Sequence, residues 1–279
     1  MELLDGRKLS EEILLNLKNK ISSFSRTPRL DIVLAGDDFA SKKYVELKKK
    51  KAEEAGITVE VHNFEEFVNG DEIVDLLDKL SRDDEVDGIM VQLPLPGLLD
   101  ENKIVSHISA DKDVDGLTAE NLGKLFRKED CFVSATPKGI GILLERYNIE
   151  VKGKNVVVIG RSKIVGLPVS ALMLSRDATV TICHPLTENI EGVCREADIL
   201  IVAVGKINFV NKSFVKKEAV VVDVGFNKDP ETGKTAGDVD FNDVKDIVSY
   251  ITPVPGGVGP MTIASLLENV VNSYEKRND

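Results

Sequence analysis

The fold of this chain is decided by the segment Lys154-Asn-Val-Val-Val-Ile-Gly-Arg-Ser-Lys-Ile-Val-Gly-Leu-Pro168. The apolar run before Gly160 predicts a buried strand, and the segment that begins at Gly166 predicts a helix. A strand, a glycine turn and a helix in this order are typical of a dinucleotide-binding α/β fold, whose turn holds a pyrophosphate at the helix N-terminus. Because Ser162 replaces the middle glycine of G-x-G-x-x-G, the turn alone is weak support for that function.

The rest of the chain alternates short apolar runs with helical stretches, which indicates an α/β fold. The sequence predicts strands at residues 30–34, 58–63, 86–93, 155–159, 179–183, 199–204 and 220–224. It predicts helices at residues 40–55, 71–81, 137–147, 168–175, 187–196, 211–216 and 261–276. We therefore expect an N-terminal α/β domain (1–136 plus 262–279) and an inserted Rossmann-type domain (137–261), joined by the two longer helices, 137–147 and 261–276, with a cleft between the domains.

Composition limits the class of protein. The 279 residues carry a net charge of −11, which argues against a nucleic-acid or membrane partner. There is no apolar run of roughly 18 residues and no charged-then-apolar leader, so we expect neither a membrane span nor export. Cys131, Cys183 and Cys194 form no C-x-x-C pair, which suggests reduced, mostly buried thiols in a cytoplasmic protein.

Prolines and glycines crowd the segment Ile251-Thr-Pro-Val-Pro-Gly-Gly-Val-Gly-Pro-Met-Thr262. Prolines fix φ and glycines let backbone approach a ligand closely, so residues 253–260 predict a rigid loop through which no helix or strand runs. The loop precedes the predicted helix 261–276, and a helix N-terminus suits a polar or anionic group. A tight connection without a ligand is the alternative.

The end of the second strand of the Rossmann-type domain bears on the cofactor. A fold that binds NAD places a carboxylate there for the ribose 2′-hydroxyl, but this chain has Cys183-His184-Pro185-Leu186. Arg161 lies in the phosphate turn instead, and a guanidinium pairs with a 2′-phosphate through charge-assisted hydrogen bonds. We therefore predict NADP rather than NAD. The alternative interpretation of Arg161 is a solvated loop arginine that binds no phosphate.

The first half carries candidate acid–base chemistry. Tyr44 and Lys48 share one face of a predicted helix, and Gln92 ends a predicted strand, where it points toward the usual ligand crevice. Lys48 begins a run of lysines, which is ordinarily a solvated face, and it needs a lowered pKa to act as a base near neutrality. The acidic segment 111–116 fits either a solvated turn or a metal site. Because the histidines are scattered, we predict no metal cofactor.

Seven segments, taken together and in order, resemble the bifunctional methylenetetrahydrofolate dehydrogenase/methenyltetrahydrofolate cyclohydrolase family, known as FolD. They are Ala35-Gly-Asp-Asp-Phe-Ala-Ser-Lys-Lys-Tyr44 with Lys48, Gly88-Ile-Met-Val-Gln-Leu-Pro-Leu-Pro96, Asp111-Lys-Asp-Val-Asp-Gly-Leu-Thr118, Gly160-Arg-Ser-Lys-Ile-Val-Gly166, Val222-Asp-Val-Gly-Phe-Asn227, Gly237-Asp-Val-Asp-Phe241 and the loop 251–262. The resemblance covers nearly the whole chain.

The resemblance implies a folate site in the cleft between the two domains. Tyr44 would stack on the rings of the substrate, and Lys48 would be the general acid/base, held and tuned by Gln92. Asp115 would grip the amino-pyrimidine edge of the pterin, where a carboxylate can accept two parallel N–H bonds. The folate pocket would be lined by Pro255 and Gly256. The cofactor contacts implied are Gly160, Arg161, Ser162, Val165, Gly166 and Phe226.

The implied activity has two steps on tetrahydrofolate derivatives. 5,10-methylenetetrahydrofolate is oxidised to 5,10-methenyltetrahydrofolate with NADP, and that product is hydrolysed to 10-formyltetrahydrofolate. Pro185 stands where several relatives carry a serine that helps to hold the 2′-phosphate, so NAD stays open as the cofactor. The nearest alternative is a monofunctional dehydrogenase. Two others are a shikimate- or amino-acid-type dehydrogenase and a nucleotide-sensing module.

The resemblance also implies an assembly and a metabolic role. A homodimer would form through the nucleotide domain. The products would serve one-carbon metabolism and, through it, purine, methionine and histidine biosynthesis.

Overall fold

Two parallel sheets organise the chain, which the computed structural model describes over residues 1–230 and 233–278. The chain divides into two compact units. The first unit contains Met1–Ser10, Leu125–Glu129 and Thr136–Thr262. The second contains Glu11–Lys124, Asp130–Ala135 and the residues from 263 onward.

Helices and strands alternate over much of the chain. Up to residue 146 they are β1 (Glu2–Leu3), α1 (Gly6–Ile21), β2 (Arg29–Ala35), α2 (Phe39–Glu54), β3 (Thr58–Phe64), α3 (Gly70–Arg82), β4 (Gly88–Val91), α4 (Glu101–Val105), α5 (Ala119–Phe126) and α6 (Ala135–Arg146). Thereafter they are β5 (Asn155–Ile159), α7 (Gly166–Ser175), β6 (Thr179–Cys183), α8 (Ile190–Cys194), β7 (Ile199–Val202), a 3-10 turn (Lys212–Phe214), β8 (Val220–Asp223), β9 (Asn227–Lys228), β10 (Thr235–Ala236), α9 (Phe241–Val244), β11 (Tyr250–Ile251) and α10 (Val258–Asn278).

The sheet of the first unit has the strand order β6-β5-β7-β8-β11-β1, and every neighbouring pair is parallel. Numbered from β5, this is the 2-1-3-4-5 order of a doubly wound sheet, with β1 added at one edge. The order reverses between β5 and β7, so the carboxyl ends of these strands flank the crevice in which such sheets bind ligands. The Rossmann-type parallel sheet predicted from the sequence is confirmed.

Burial explains the apolar runs that mark this sheet. All four residues of β7 are buried, and so is every residue of β5 after Asn155. Helix α7 likewise has seven of its ten residues buried, which explains why its sequence is apolar on most faces. Strands covered on both faces lose the alternation of exposed and buried positions and read as continuous apolar segments.

The second unit is built on a three-stranded parallel sheet in the order β3-β2-β4. Leu30, Ile32 and Leu34 of β2 face one core, which α10 completes, and Val33 and Ala35 face another, which α3 completes. The order of this sheet also reverses, between β2 and β4. The carboxyl ends of β2 and β4 therefore form the ligand-binding edge of the second unit.

The predicted loop 253–260 is wrong at its end. Helix α10 begins at Val258, so a helix does run through Gly259 and Pro260. Proline is tolerated there because the first N–H groups of a helix have no intrahelical acceptor. The preceding residues 252–257 lie outside the helices and strands.

Two predicted helices and two predicted strands are shorter than expected. The helix predicted at 211–216 is the 3-10 turn, because the Asn211 side chain accepts from the Ser213 N–H and Val215 is extended. The helix predicted at 187–196 is reduced to α8, which follows Asn189 in the left-handed conformation. The strands predicted at 86–93 and 199–204 end earlier, at Val91 and Val202.

Helix α1 is absent from the sequence-based prediction. Its apolar positions Ile13, Leu14, Leu17 and Ile21 pack on the core of the second unit. Their spacing is helical, so periodicity was a sufficient signal for this element.

No helix within residues 1–230 and 233–278 is both long enough and apolar enough to cross a membrane. Cys131, Cys183 and Cys194 are all free thiols; the last two are buried and Cys131 is partly exposed.

Candidate active site

Helix α2 places Lys48 on its buried face, in line with Val45 and Ala52. The side chain of Lys50 on the same helix is exposed, whereas Lys48 keeps only 4% of its exposure. The solvated-face interpretation of the lysine run is therefore wrong for Lys48 and right for Lys50. A buried lysine amine is unusual, and it needs hydrogen-bonding or charged partners to offset the loss of water.

Three side chains surround the amine of Lys48. Its Nζ donates to Gln92 Oε1 at 3.1 Å and lies 3.7 Å from Met90 Sδ. It also lies 4.5 Å from the centroid of the Tyr44 ring, within the range of a cation–π contact. The amide of Gln92 is fixed, because its Nε2 donates to the Leu93 carbonyl at 2.7 Å.

Lys48 and Asp115 interact electrostatically, and each changes the pKa of the other. Burial lowers the pKa of Lys48, and the negative charge of Asp115 partly opposes this. Burial raises the pKa of Asp115 to about 6; Lys48 opposes that shift and Asp113 adds to it. Burial therefore disfavours the charged forms of both groups. The pKa of the Lys48 amine and the pKa of the Asp115 carboxyl group both lie closer to neutral pH than they would in water.

Asp113 anchors the segment that carries Asp115. This fully buried carboxylate accepts from the N–H groups of Leu117 and Thr118 at 3.2 and 2.8 Å, and from Asn121 Nδ2 at 3.0 Å. Its carboxylate thus binds the turn and helix α5, and Asp115 is the acidic residue that interacts with Lys48. The predicted site aspartate therefore lies in the turn, next to an aspartate with a structural role.

Asn121 is a site-supporting residue that the sequence analysis missed. Its side chain donates to the Ala110 carbonyl at 2.9 Å as well as to Asp113, and its oxygen accepts from the Phe132 N–H at 3.2 Å. Gly116 fits the same turn at φ +64°, where a Cβ would overlap backbone of residues 132–134. No local motif indicates these contacts, because the partners are distant in sequence.

The glycine turn of the first unit requires both of its glycines. Gly160 has φ +123°, and a Cβ on it would overlap the carbonyl oxygen of Ala203. A Cβ on Gly166 would overlap the carbonyl of Gly160. The Ser162 hydroxyl accepts from the N–H groups of Val165 and Gly166 at 3.2 and 3.3 Å, which fixes the turn at the start of α7. The bare backbone at the crevice between β5 and β7 fits the pyrophosphate of a dinucleotide.

The residues predicted for the rest of the cofactor are accessible. Arg161 is exposed in the turn, and Phe226 is 73% exposed after β8. At the end of β6 the His184 N–H donates to Thr187 Oγ1 at 2.9 Å, with the exposed Pro185 between them. This end of the crevice therefore presents a cationic side chain at β5 and no carboxylate at β6.

The loop after β11 is held by backbone hydrogen bonds within the loop and to helix α1. The Gly257 N–H donates to the Pro253 carbonyl at 2.8 Å, and the Gly256 carbonyl accepts from the Arg7 N–H at 2.8 Å. Gly256 has φ +117° and is buried, whereas Pro255 is exposed. Both predicted residues belong to the first unit, whereas Tyr44, Lys48, Gln92 and Asp115 belong to the second.

Among the residues that the structure describes, one group of potential metal ligands is found, and it lies in the second unit. Asp31, Glu60 and His62 bring their ligand atoms within 4.8 Å of one another. Arg29 already occupies this group: its guanidinium contacts both oxygens of Asp31 at 2.8 and 2.9 Å and Glu60 at 2.7 Å. A resident guanidinium makes this an ion-pair cluster in which a metal cation would meet repulsion.

Two family models match the chain. The catalytic domain of tetrahydrofolate dehydrogenase/cyclohydrolase matches residues 4–115, and the NAD(P)-binding domain of the same family matches residues 134–278. The chain is 47% identical over 280 residues to the bifunctional protein FolD of Campylobacter hominis, with 99% of this chain and 98% of that protein covered.

Solved structures agree with this assignment. The bifunctional FolD methylenetetrahydrofolate dehydrogenase/cyclohydrolase of Campylobacter jejuni has a TM-score of 0.97 at 44% identity, over 99% of each chain. The Trypanosoma brucei methylenetetrahydrofolate dehydrogenase-cyclohydrolase, in complex with NADP cofactor and inhibitor, has a TM-score of 0.93 at 34% identity, over 99% of this chain and 97% of its own. The family predicted from the sequence motifs is confirmed. The chain therefore belongs to the tetrahydrofolate dehydrogenase/cyclohydrolase family and is a bifunctional enzyme with that family's catalytic and NAD(P)-binding domains.

Proposed function

We propose that the second unit performs acid–base catalysis on a tetrahydrofolate substrate through Lys48. The supporting observation is the buried amine of Lys48, whose pKa is lowered by burial and whose Nζ lies 3.1 Å from Gln92 Oε1. In this proposal the chain oxidises 5,10-methylenetetrahydrofolate to 5,10-methenyltetrahydrofolate and hydrolyses the latter to 10-formyltetrahydrofolate.

The hydrolytic step needs a base, and Lys48 meets that need. Water adds to the methenyl carbon and gives a proton to the neutral amine. The bond from this carbon to N5 then breaks, N5 takes a proton, and the added hydroxyl loses one as the formyl group forms on N10. One proton is released overall. Gln92 orients the amine, and general acid–base catalysis of this kind contributes about 100- to 10,000-fold.

Substrate binding is proposed for the residues around Lys48. Tyr44 offers an aromatic face, and Asp115 offers carboxylate oxygens that suit two parallel N–H donors. A pterin amino-pyrimidine has such donors along one edge. The family resemblance adds Pro255 and Gly256 as substrate contacts.

We propose NADP as the cofactor, with NAD as the alternative. When bound, its nicotinamide supplies the hydride acceptor of the oxidation. Gly160 and Gly166 would leave room for the pyrophosphate, and Ser162 and Val165 would shape the turn around it. Arg161 would pair with the 2′-phosphate. The hydride step itself needs alignment more than acid or base, because the product cation is shared by two nitrogens.

An assay of the purified protein with 5,10-methylenetetrahydrofolate tests this proposal. Reduced cofactor and methenyl product are followed separately, with NADP and NAD in parallel. Reduced NADP without accumulation of methenyl product supports both activities and the cofactor. Persistent methenyl product contradicts the role of Lys48, and equal Michaelis constants for NAD and NADP contradict the role of Arg161.

The family resemblance also supports a homodimer formed through the NAD(P)-binding domain and a cytoplasmic location. β6 lies at one edge of the six-stranded sheet and its middle residues are only half-buried, which suits a partner at that edge. Sedimentation equilibrium would give the mass of a monomer if the dimer is wrong.

A further inference from the structure

Two buried carboxylates lie together at the carboxyl edge of the six-stranded sheet. Asp223 is the last residue of β8 and is 3% exposed, and Asp238, just after β10, is fully buried. The N–H of Asp238 donates to Asp223 Oδ1 at 2.9 Å, which links the two residues directly. They lie in the segments 222–227 and 237–241, and the sequence analysis assigned a role to neither aspartate.

The two carboxylates hold the loops that follow β7 and β8. Asp223 accepts from the N–H groups of Gly225, Asp238 and Val239, at 2.8, 2.9 and 3.0 Å. Asp238 accepts from the N–H groups of Val204, Gly205 and Lys206 and from Asn227 Nδ2, at 2.7, 2.9, 2.9 and 2.8 Å.

The glycines of these motifs are explained by the same contacts. A Cβ on Gly237 would overlap the carboxylate of Asp223, and a Cβ on Gly225 would overlap Asp238. The motifs therefore encode a compact arrangement in which backbone N–H groups surround two carboxylates. This arrangement fixes residues 204–206 and 225–227 at the edge where the sheet binds its ligand.

Within residues 1–230 and 233–278, neither Asp223 nor Asp238 forms an ion pair with a lysine, arginine or histidine. Burial, together with the charge of Asp238, raises the pKa of Asp223 to about 6. Above that pH Asp223 is mainly ionised, and its charge is stabilised by the N–H groups of Gly225, Asp238 and Val239.

The position of the pair along the crevice follows from the strand order. If a dinucleotide places its pyrophosphate on the Gly160 turn after β5, its adenosine half extends toward β6. The nicotinamide half then extends to the other side, over the ends of β7 and β8. Those ends carry the loops that Asp223 and Asp238 hold.

We propose that Asp223 and Asp238 are positioning residues for the nicotinamide half of the cofactor and that their shared negative charge favours the positively charged oxidised ring over the neutral reduced one. This inference rests on the proposed cofactor site and adds a preference for one redox state. With this preference, the site would bind the oxidised cofactor, which is the oxidant of the first reaction step, more tightly than the reduced cofactor that this step forms.

Calorimetric titration of the full-length protein with three ligands tests the inference. The ligands are NADP⁺, NADPH and adenosine 2′,5′-bisphosphate, a fragment that lacks the nicotinamide. The variants are Asp238→Asn, which removes a charge, and Asn227→Ala, which keeps both charges and removes one donor to Asp238. The matched control is Asp198→Asn, because Asp198 accepts from the Asn155 N–H and from Lys216 at the amino ends of the same sheet.

The expected pattern separates charge from position. Asp238→Asn should raise the Kd of NADP⁺ relative to that of NADPH by roughly three- to tenfold. Asn227→Ala should raise the Kd of both dinucleotides by a similar factor and leave their ratio unchanged. Neither variant should change the Kd of the fragment, and Asp198→Asn should change none of the three.

Several results would overturn the inference. An unchanged NADP⁺/NADPH ratio in Asp238→Asn rejects the charge effect. Loss of fragment binding in proportion to dinucleotide binding assigns the pair a structural role only. If Asp238→Asn does not fold, unchanged dinucleotide binding in Asn227→Ala rejects the positioning role.

The cofactor proposal fails in a different way. A wild-type protein that prefers NAD is tested with NAD⁺, NADH and AMP in the same design, which leaves the inference intact. A wild-type protein that binds neither dinucleotide overturns both the cofactor proposal and the inference.

Discussion

The Nζ of Lys48 lies 3.1 Å from Oε1 of Gln92, in the interior of the second unit. The amide of Gln92 turns its carbonyl oxygen toward Lys48, because its Nε2 donates to the Leu93 carbonyl. A neutral carbonyl accepts a hydrogen bond from an ammonium and from an amine alike. The contact therefore orients Lys48 without adding a full negative charge that would hold it protonated.

Replacement of Lys48 by Met should separate the two activities. Hydrolysis of methenyltetrahydrofolate is expected to fall at least about 100-fold, because the proton acceptor is gone. Hydride transfer should persist in part, because it depends on alignment. Stopped-flow traces of methenyl and reduced-cofactor absorbance would report each step. Lys50→Met, on the exposed face of the same helix, is the control and should change neither. Equal loss of both activities in folded Lys48→Met would contradict the assignment.

A negative charge at position 92 should shift the pH profile. Hydrolysis requires neutral Lys48, so its rate rises with pH through the pKa of that amine. Gln92→Glu places an anion beside the amine and favours the ammonium, which is expected to raise the Lys48 pKa. The rising limb of the hydrolysis profile should therefore move to higher pH. Gln92→Met, which adds no charge, is the comparison. A profile that moves to lower pH in Gln92→Glu would reject the proposed contact.

The acid stability of the protein should report Asp115. Its pKa is raised from 3.8 to about 6, so the native state binds this proton more tightly than the unfolded state. The stabilisation is complete below the unfolded pKa and is lost as pH rises through about 6. Relative to Asp115→Asn, the free energy of unfolding of the wild type should fall on the order of 1–3 kcal/mol between pH 4 and pH 7. Urea titrations at several pH values would measure it, and parallel pH dependences would contradict it.

Local signals were sufficient for most of the parallel sheets. The strand β5, the glycine turn and α7 form one contiguous segment, so their order is visible without knowledge of distant contacts. Tyr44 and Lys48 are likewise on one helix. Asp115 is different, because residue types alone cannot separate it from Asp113. Only the family resemblance singled it out among three acidic residues.

Asn121 and the Asp223–Asp238 pair were missed because their contacts join residues eight or more positions apart, whereas the 3-10 turn was misjudged because of one local side-chain contact. Asn121 joins Ala110, Asp113 and Phe132, and none of these pairings leaves a periodic pattern. The 3-10 turn at Lys212–Phe214 reflects one side-chain contact of Asn211, which overrides the helical composition around it. Asp223 and Asp238 are fifteen residues apart and meet only when the strands assemble.

Gly160 should tolerate no side chain. Its φ of +123° is strained for any other residue, and a Cβ would also overlap the Ala203 carbonyl. We expect Gly160→Ala to lower the free energy of unfolding by at least about 3 kcal/mol and to abolish dinucleotide binding. Gly153→Ala is the matched control, because Gly153 has φ +71° with open space around it. That variant should cost about 1 kcal/mol. Similar unfolding midpoints for both variants would show that the overlap with the Ala203 carbonyl does not lower the free energy of unfolding.

Arg161 should determine the choice of cofactor. Its guanidinium is exposed in the β5–α7 turn, and the end of β6 offers no carboxylate to a ribose 2′-hydroxyl. Because Pro185 supplies no hydroxyl, the arginine would be the main partner of a 2′-phosphate. Arg161→Ala is therefore expected to raise the Michaelis constant for NADP by roughly 10- to 100-fold, which is the loss of a charge-assisted pair worth about 1.5–3 kcal/mol. The Michaelis constant for NAD should stay within about twofold, since NAD has no such phosphate, and it serves as the internal control. A parallel rise for both cofactors would mean that Arg161 acts on the pyrophosphate they share.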